Sequence, residues 1–262
     1  MKHKGAVITA VVFLAAGSLI CGFSFAAQGF DPRRFNTVSF TDEQMEVSGD
    51  FRDIRIHADL DAIRLIPSED GICRVEFHEY EKMRHEVRTE DGVLDIRVTD
   101  DGVWYERIGI FTERPRITVR LPKNSYRNLT IETATGDVEF SSLSFEEDIE
   151  ISPNTGETRL RDVTCRNFLS EGNTGEVELE NVIAAETLTI KRNTGDVELE
   201  ACDAKSLRIE TNTGDVSGIL LTPKRFVAET VTGKIRVPDS GEGGVCEITT
   251  GTGDIEVRVS GD

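Results

Sequence analysis

Cysteine, proline and aromatic residues are all scarce in this chain of 262 residues. Seven prolines and 6% aromatic residues argue against a linker-like or mucin-like chain. The cysteines are odd in number and widely spaced, which predicts neither a disulfide framework nor a metal-binding cluster. They are Cys21, Cys73, Cys165, Cys202 and Cys246.

Basic residues are also few, since 30 lysines and arginines face 48 aspartates and glutamates, a net charge of −18. Proteins that bind nucleic acids neutralise phosphates with basic side chains, so this balance argues against a nucleic-acid partner. The hydrophobic share of 38%, to which 23 glycines add about 9%, is typical of a globular protein and excludes global disorder.

Charge is absent from Gly5 to Gly29. Residues 6–27 are long enough to cross a bilayer, because about 20 apolar residues do so as a helix. Lys2 and Lys4 would keep the start of the chain inside the cell. A cleaved signal peptide is the alternative. Either interpretation places the chain from Gln28 onward outside the cytoplasm.

A Thr-Gly pair recurs seven times in the second half of the chain, at intervals of 19 or 20 residues. A fixed period of about this length predicts a solenoid. The pairs begin at Thr135, Thr155, Thr174, Thr194, Thr213, Thr232 and Thr252. Asparagine precedes four of them and is predicted to form a hydrogen-bonded ladder, at Asn154, Asn173, Asn193 and Asn212.

Apolar residues alternate with polar ones on both sides of each pair, as at Leu129 and Ile131 before it and Val138 and Phe140 after it. A period of two around a tight turn indicates strand, turn and strand. We therefore predict an all-β, single-domain parallel β-solenoid with coils of 19–20 residues. Cys202 and Cys246 fall in its apolar columns and are predicted core residues.

The predicted organisation has two parts. Residues 1–28 form the membrane anchor or signal segment, and residues 35–262 form the solenoid domain. Within that domain, residues 35–128 are an irregular β-rich part that caps the first coil, and residues 129–262 contain the seven regular repeats.

The stretches Val119–Tyr126 and Leu129–Val138, together with Ile54–Leu65, resemble the putative-adhesin family of bacterial β-strand-repeat domains, a domain of unknown function. The resemblance implies a right-handed β-helix outside the cytoplasm, often with an N-terminal anchor. Some relatives are associated with envelope-stress systems, and the family supplies no catalytic residues to carry over. This chain departs from the repeat at Thr158, where valine is usual, and at Lys234, where an acid is usual.

An acid follows the glycine in six of the seven repeats, and stacked carboxylates attract cations. These weak calcium candidates are Asp137, Glu157, Glu176, Asp196, Asp215 and Asp254. The interval lacks the nonapeptide pattern of calcium-binding β-rolls, so no metal site and no cofactor is predicted.

Aromatic residues concentrate between Val103 and Phe111, where Trp104, Tyr105 and Phe111 are candidates for binding a partner. The alternative is that they pack over the end of the solenoid. At the other end, the strand Ile255–Ser260 closes the sequence without a capping helix, and we expect it to be an open edge through which copies of the chain could associate.

The sequence thus predicts a non-enzymatic, membrane-anchored binding or scaffold protein of the bacterial cell envelope. Its expected partners are a cell-envelope polymer or an envelope protein, and the membrane through residues 6–27. The alternative function is a glycan-active lyase or hydrolase that uses paired turn carboxylates, and the alternative location is secretion after signal cleavage.

Overall fold

The computed structural model describes residues 4–27, 29, 39–80, 83–99, 113–239 and 241–261. In these residues one helix, α1 (Lys4–Ala27), precedes nineteen strands. The first nine are β1 (Phe40–Glu46), β2 (Asp53–Ala58), β3 (Ala62–Pro67), β4 (Arg74–Tyr80), β5 (His85–Glu90), β6 (Val93–Val98), β7 (Arg116–Leu121), β8 (Ser125–Tyr126) and β9 (Asn128–Thr135). The others are β10 (Val138–Phe145), β11 (Asp148–Thr155), β12 (Thr158–Thr174), β13 (Val177–Thr194), β14 (Val197–Thr213), β15 (Val216–Leu220), β16 (Lys224–Thr232), β17 (Ile235–Arg236), β18 (Gly244–Thr252) and β19 (Ile255–Val259).

Neighbouring coils pair in parallel with the register that the repeat predicts. Thr155 lies opposite Thr135 on one side and opposite Thr174 on the other. The predicted apolar columns point inward, and Ile131, Ile151 and Val177 are fully buried. The all-β class and the solenoid-like stacking are therefore confirmed. The right hand implied by the family resemblance stays a prediction.

Each turn glycine allows two coils to approach closely. A Cβ added to Gly195 would lie 2.1 Å from the carbonyl oxygen of Gly175, and the φ of Gly195 is +149°. No other residue combines that conformation with so small a volume. The asparagines beside the turns pair between coils as predicted, with Nδ2 of Asn212 donating to Oδ1 of Asn193 at 2.7 Å.

The left-handed backbone at a second corner of the coils was not foreseen from the sequence. Four residues that are not glycine adopt a left-handed backbone there, with φ between 52° and 57°. Asp162 and Asn181 suit this conformation and hydrogen-bond to each other at 2.7 Å. The column is Ser142, Asp162, Asn181 and Ala201.

The N-terminal part is more regular than predicted. β2 pairs in parallel with β9, and β3 pairs in parallel with β10, so residues 53–67 form a further coil beneath the first repeat. β6 and β7 stack in parallel on β2 and β3 and continue the same columns. Among the described strands, the antiparallel pairs are β1 with β4, β4 with β7 and β5 with β6, and β1, β4 and β5 extend this end of the sheet.

The last two coils stack in the reverse of their chain order. β18 lies between β14 and β16, and β19 lies between β15 and β17. The expectation that Ile255–Ser260 forms an open edge is therefore wrong for Ile255 and Glu256, which pair with both β15 and β17, whereas Val257–Val259 pair with β15 alone among the described residues. Small residues make this insertion possible, since a Cβ on Gly244 would lie 1.9 Å from the carbonyl oxygen of Lys205.

Helix α1 spans 24 residues, and its large apolar side chains from Val12 onward are exposed. Among the described residues, no helix has both the length and the apolar character needed to cross a membrane. The membrane anchor over residues 6–27 stays a prediction.

Candidate functional site

The acid column beside the turns carries hydrogen bonds between coils. Oδ1 of Asp196 accepts the backbone N–H of Asp215 at 2.7 Å, and Oδ1 of Asp215 accepts that of Asp254 at the same distance. The aspartates thus satisfy main-chain donors that the turn leaves free. In the described part of the chain, no group of three or more histidine, cysteine, aspartate or glutamate side chains is placed to bind a metal ion.

The strands that follow the turns present an open, charged face, which we call the post-turn face. It comprises the outward residues of β3, β10, β12, β13 and β14. A groove of ≈ 460 Å³ crosses it, and charges of opposite sign pair between its coils. Nε of Arg159 lies 3.0 Å from Glu178, and Nε of Arg161 lies 2.6 Å from Glu180.

Two glutamates of this groove have no such partner. Glu198 and Glu200 are exposed on the coil next to Glu178 and Glu180. In the described part of the chain, no hydrogen bond or ion pair joins the side-chain carboxylate of either glutamate to another residue. These carboxylates are therefore available to bind an external group.

The three aromatic candidates, Trp104, Tyr105 and Phe111, lie outside the described residues. The core position of Cys202 and Cys246 is confirmed, since both are buried and Cys246 lies opposite Leu207. Burial raises the pKa of the Cys202 thiol to about 11 and that of the Cys246 thiol to about 12. Thiols that are buried and whose pKa is raised in this way are inert.

A buried imidazole lies between two carboxylates at the N-terminal end. Nδ1 of His85 is 2.5 Å from Oε2 of Glu79, and Nε2 is 3.3 Å from Oδ1 of Asp61. The side chains of His85 and Asp61 are completely buried, and the imidazole ring stacks on Phe77 with the centroids 4.6 Å apart. This cluster joins the β2–β3 turn to the antiparallel strands β4 and β5.

Charge on His85 is favoured by its partners. Burial opposes the imidazolium, but the carboxylates of Asp61 and Glu79 outweigh it and raise the pKa of His85 above its ordinary value. The sequence contained one signal of this cluster, because Asp61 stands where later coils carry the turn glycine. The other two members come from strands without the repeat, so spacing could not reveal them.

A second buried charge, the guanidinium of Arg192, explains a departure from the repeat. Nη2 donates to the hydroxyls of Ser170 at 2.8 Å and Thr158 at 3.2 Å, and Nη1 donates to the carbonyl of Lys191. Other coils have isoleucine and valine in the columns of Ser170 and Thr158. Gly172 leaves the space that the guanidinium occupies. Burial lowers the pKa of Arg192 to about 10.

Restoring the consensus at this cluster is expected to keep or raise stability. Thr158→Val, Ser170→Ile and Arg192→Thr together replace a buried charge and two hydroxyls by residues that neighbouring coils already use. Such replacements are neutral or stabilising by about 1–4 kcal/mol. Arg192→Thr alone leaves the buried hydroxyls of Thr158 and Ser170 without their donor and should cost about 1–3 kcal/mol. Urea unfolding of the triple and single variants measures both effects. A triple variant less stable than the single one would contradict this account.

A family profile described as Toastrack DUF4097 matches residues 51–262. The chain belongs to the Toastrack DUF4097 family. The match covers the coils, Asp61, His85 and Arg192, whereas α1 precedes it. The predicted resemblance to the putative-adhesin family is thereby confirmed.

Solved structures resemble this Toastrack chain to different degrees. A putative adhesin from Bacteroides fragilis is 17% identical, with a TM-score of 0.55 over 84% of this chain and 97% of its own. A putative cell adhesion protein from Clostridium sporogenes is 12% identical, with a TM-score of 0.44 over 85% and 100%. A putative lipid binding protein from Parabacteroides distasonis is 15% identical, with a TM-score of 0.43 over 83% and 96%. No curated protein matches the chain.

Proposed function

We propose that this Toastrack protein is a non-enzymatic binding or scaffold protein of the bacterial cell envelope. The uncharged segment over residues 6–27, preceded by Lys2 and Lys4, supports an extracytoplasmic domain that is anchored in the membrane or secreted after cleavage. The adhesin name of a solved structure with this fold agrees with a binding role.

The post-turn face carries the proposal. Its side chains repeat from coil to coil, and parallel strands lie about 4.8 Å apart. A polymer that repeats polar groups at short intervals can therefore contact several coils at once. Glu198 and Glu200 supply free carboxylates beside the paired Arg159–Glu178 and Arg161–Glu180. Carboxylates accept hydrogen bonds from sugar hydroxyls or amines, so a cell-wall glycan is the proposed ligand class.

The turn carboxylates are the alternative, as the acid and base of a glycan lyase or hydrolase. Such chemistry needs one carboxyl group free to donate a proton and another free to attack or activate water. Asp196 and Asp215 instead accept backbone N–H groups of the next coil, which supports a structural role for this pair.

Retention on isolated cell-wall polymer tests the proposal. We expect the full chain to be retained without releasing new sugar ends. Glu198→Gln with Glu200→Gln should weaken retention about tenfold, because each carboxylate loses a charged hydrogen bond. Glu150→Gln with Glu242→Gln removes the same charge from exposed sites elsewhere and should leave retention unchanged.

Two outcomes would contradict the proposal. New reducing or unsaturated sugar ends would favour the enzyme and make the turn carboxylates the next variants. Equal retention of both double variants would show that the post-turn face does not bind the polymer.

A further inference from the structure

The outermost coil at the C-terminal end of the stack is β16 with β17. Among the described residues, β16 pairs with β18 alone and β17 pairs with β19 alone, so both present a free edge. Apolar side chains accompany this edge: Val231 is 88% exposed, Val227 46% and Ile235 43%. The inward residues Phe226 and Ala228 are only partly buried, so the apolar interior reaches the surface here.

The opposite end of the sheet is built differently. Its edge strand β1 carries Asp42, Glu43 and Glu46, and all three are exposed. Charged side chains on an edge strand discourage pairing with another chain. β16 instead alternates the opposite charges of Arg225 and Glu229 with the exposed Val227 and Val231, so it lacks a repulsive charge of one sign and matches a second edge of the same kind.

The backbone of β16 determines which residues can pair. The carbonyl of Thr232 accepts the N–H of Gly253 on the β18 side at 3.0 Å. Successive residues of a strand direct their N–H and C=O groups to opposite edges. The backbone N–H and C=O groups that point to the free edge therefore belong to Arg225, Val227, Glu229 and Val231.

We propose that this edge binds a second copy of the chain, with the two β16 strands antiparallel about a two-fold axis at Val227. This register places Val227 opposite Val227 of the second copy and Arg225 opposite Glu229. All of these are residues with free backbone groups, so the strands exchange hydrogen bonds at each pair. A two-fold axis at Glu229 would place the two copies of Glu229 opposite each other. An axis at Ala228 would place Val227 opposite Glu229 of the second copy.

The same register continues the interior across the interface. Phe226 comes to lie opposite Ala228 of the second copy, so a large side chain meets a small one on the inward face. A two-fold axis also closes the assembly as a dimer, since each free edge is used once. The proposal is independent of the polymer-binding function.

Disulfide cross-linking of the full chain tests the register. In a background with Cys21→Ser, which removes the exposed thiol, Val227→Cys places two cysteines opposite each other at the axis. Their Cα atoms would be about 5.5 Å apart, within the range that a disulfide spans. Val231→Cys is the control: that residue is more exposed, but its two copies would be about 27 Å apart along the strands. Under mild oxidation we expect a covalent dimer of the first variant alone.

Charge reversal provides a second readout. Arg225→Glu or Glu229→Arg places like charges opposite each other and should reduce the Val227→Cys dimer several-fold, whereas both changes together should restore it. Circular dichroism checks that each variant keeps its strands. Cross-linking of both cysteine variants alike, of Val231→Cys alone or of neither would overturn the proposal.

Discussion

Replacing His85 by glutamine is expected to destabilise the domain by about 3–5 kcal/mol. The change removes the cation between Asp61 and Glu79, whose side chains are 0% and 7% exposed, and leaves two carboxylates buried together. Chemical unfolding at pH 6 measures the loss. Hydrogen exchange in β4 and β5 should show the largest local effect, because the cluster joins these strands to the coil below.

His57→Gln is the matched control. His57 also pairs with a carboxylate, Glu132 at 3.1 Å, but the two side chains are 35% and 59% exposed. An exposed ion pair contributes at most about 1 kcal/mol. Equal stability of the two glutamine variants would show that the buried cluster contributes no more than a surface pair.

The pH dependence of stability follows from the same cluster. The pKa of His85 is raised in the folded state, so its contribution is complete below the ordinary histidine pKa of about 6.5 and is lost as pH rises through the folded value. The stability difference between the wild type and His85→Gln should therefore shrink as pH rises through the folded-state pKa of His85. A difference that grows with pH would contradict the assignment of charge to His85.

The repeat predicted the coils because each position in it has one physical role. The apolar columns must face inward, the turn needs glycine, and asparagines in adjacent coils can bond to each other. Such requirements recur in every coil and can be detected by alignment within one sequence. The left-handed backbone of the second corner could not be predicted, because Ser142, Asp162, Asn181 and Ala201 share a backbone conformation and no common chemistry.

The order of the coils could not be predicted in this way. A repeat specifies how any two coils pair, and it is equally satisfied when β18 lies next to β14 or next to a more distant coil. The glycines at 241, 243 and 244 were the only available sign that a strand is inserted between two others. The same limit applies to His85 and Arg192, whose partners lie in strands or columns that depart from the repeat.

Replacing Gly195 by alanine tests whether the turn glycines are required by contact between coils. The added Cβ would lie 2.1 Å from the carbonyl oxygen of Gly175, at a φ of +149° that alanine rarely adopts. Coils on both sides prevent either backbone from moving away. We expect a loss of at least about 3 kcal/mol, or failure to fold, measured by chemical unfolding and by the yield of soluble protein.

Two further glycines separate conformational strain from contact between coils. Gly71→Ala introduces alanine at a φ of +76° with no atom within 4 Å, so it should cost only about 1 kcal/mol. Gly233→Ala introduces a Cβ 1.9 Å from the carbonyl of Gly253, but it lies in the outermost coil, which can shift. The expected order of stability loss is therefore Gly195, then Gly233, then Gly71. Equal losses at Gly195 and Gly71 would mean that backbone strain alone, and no contact between coils, accounts for the cost of replacing Gly195.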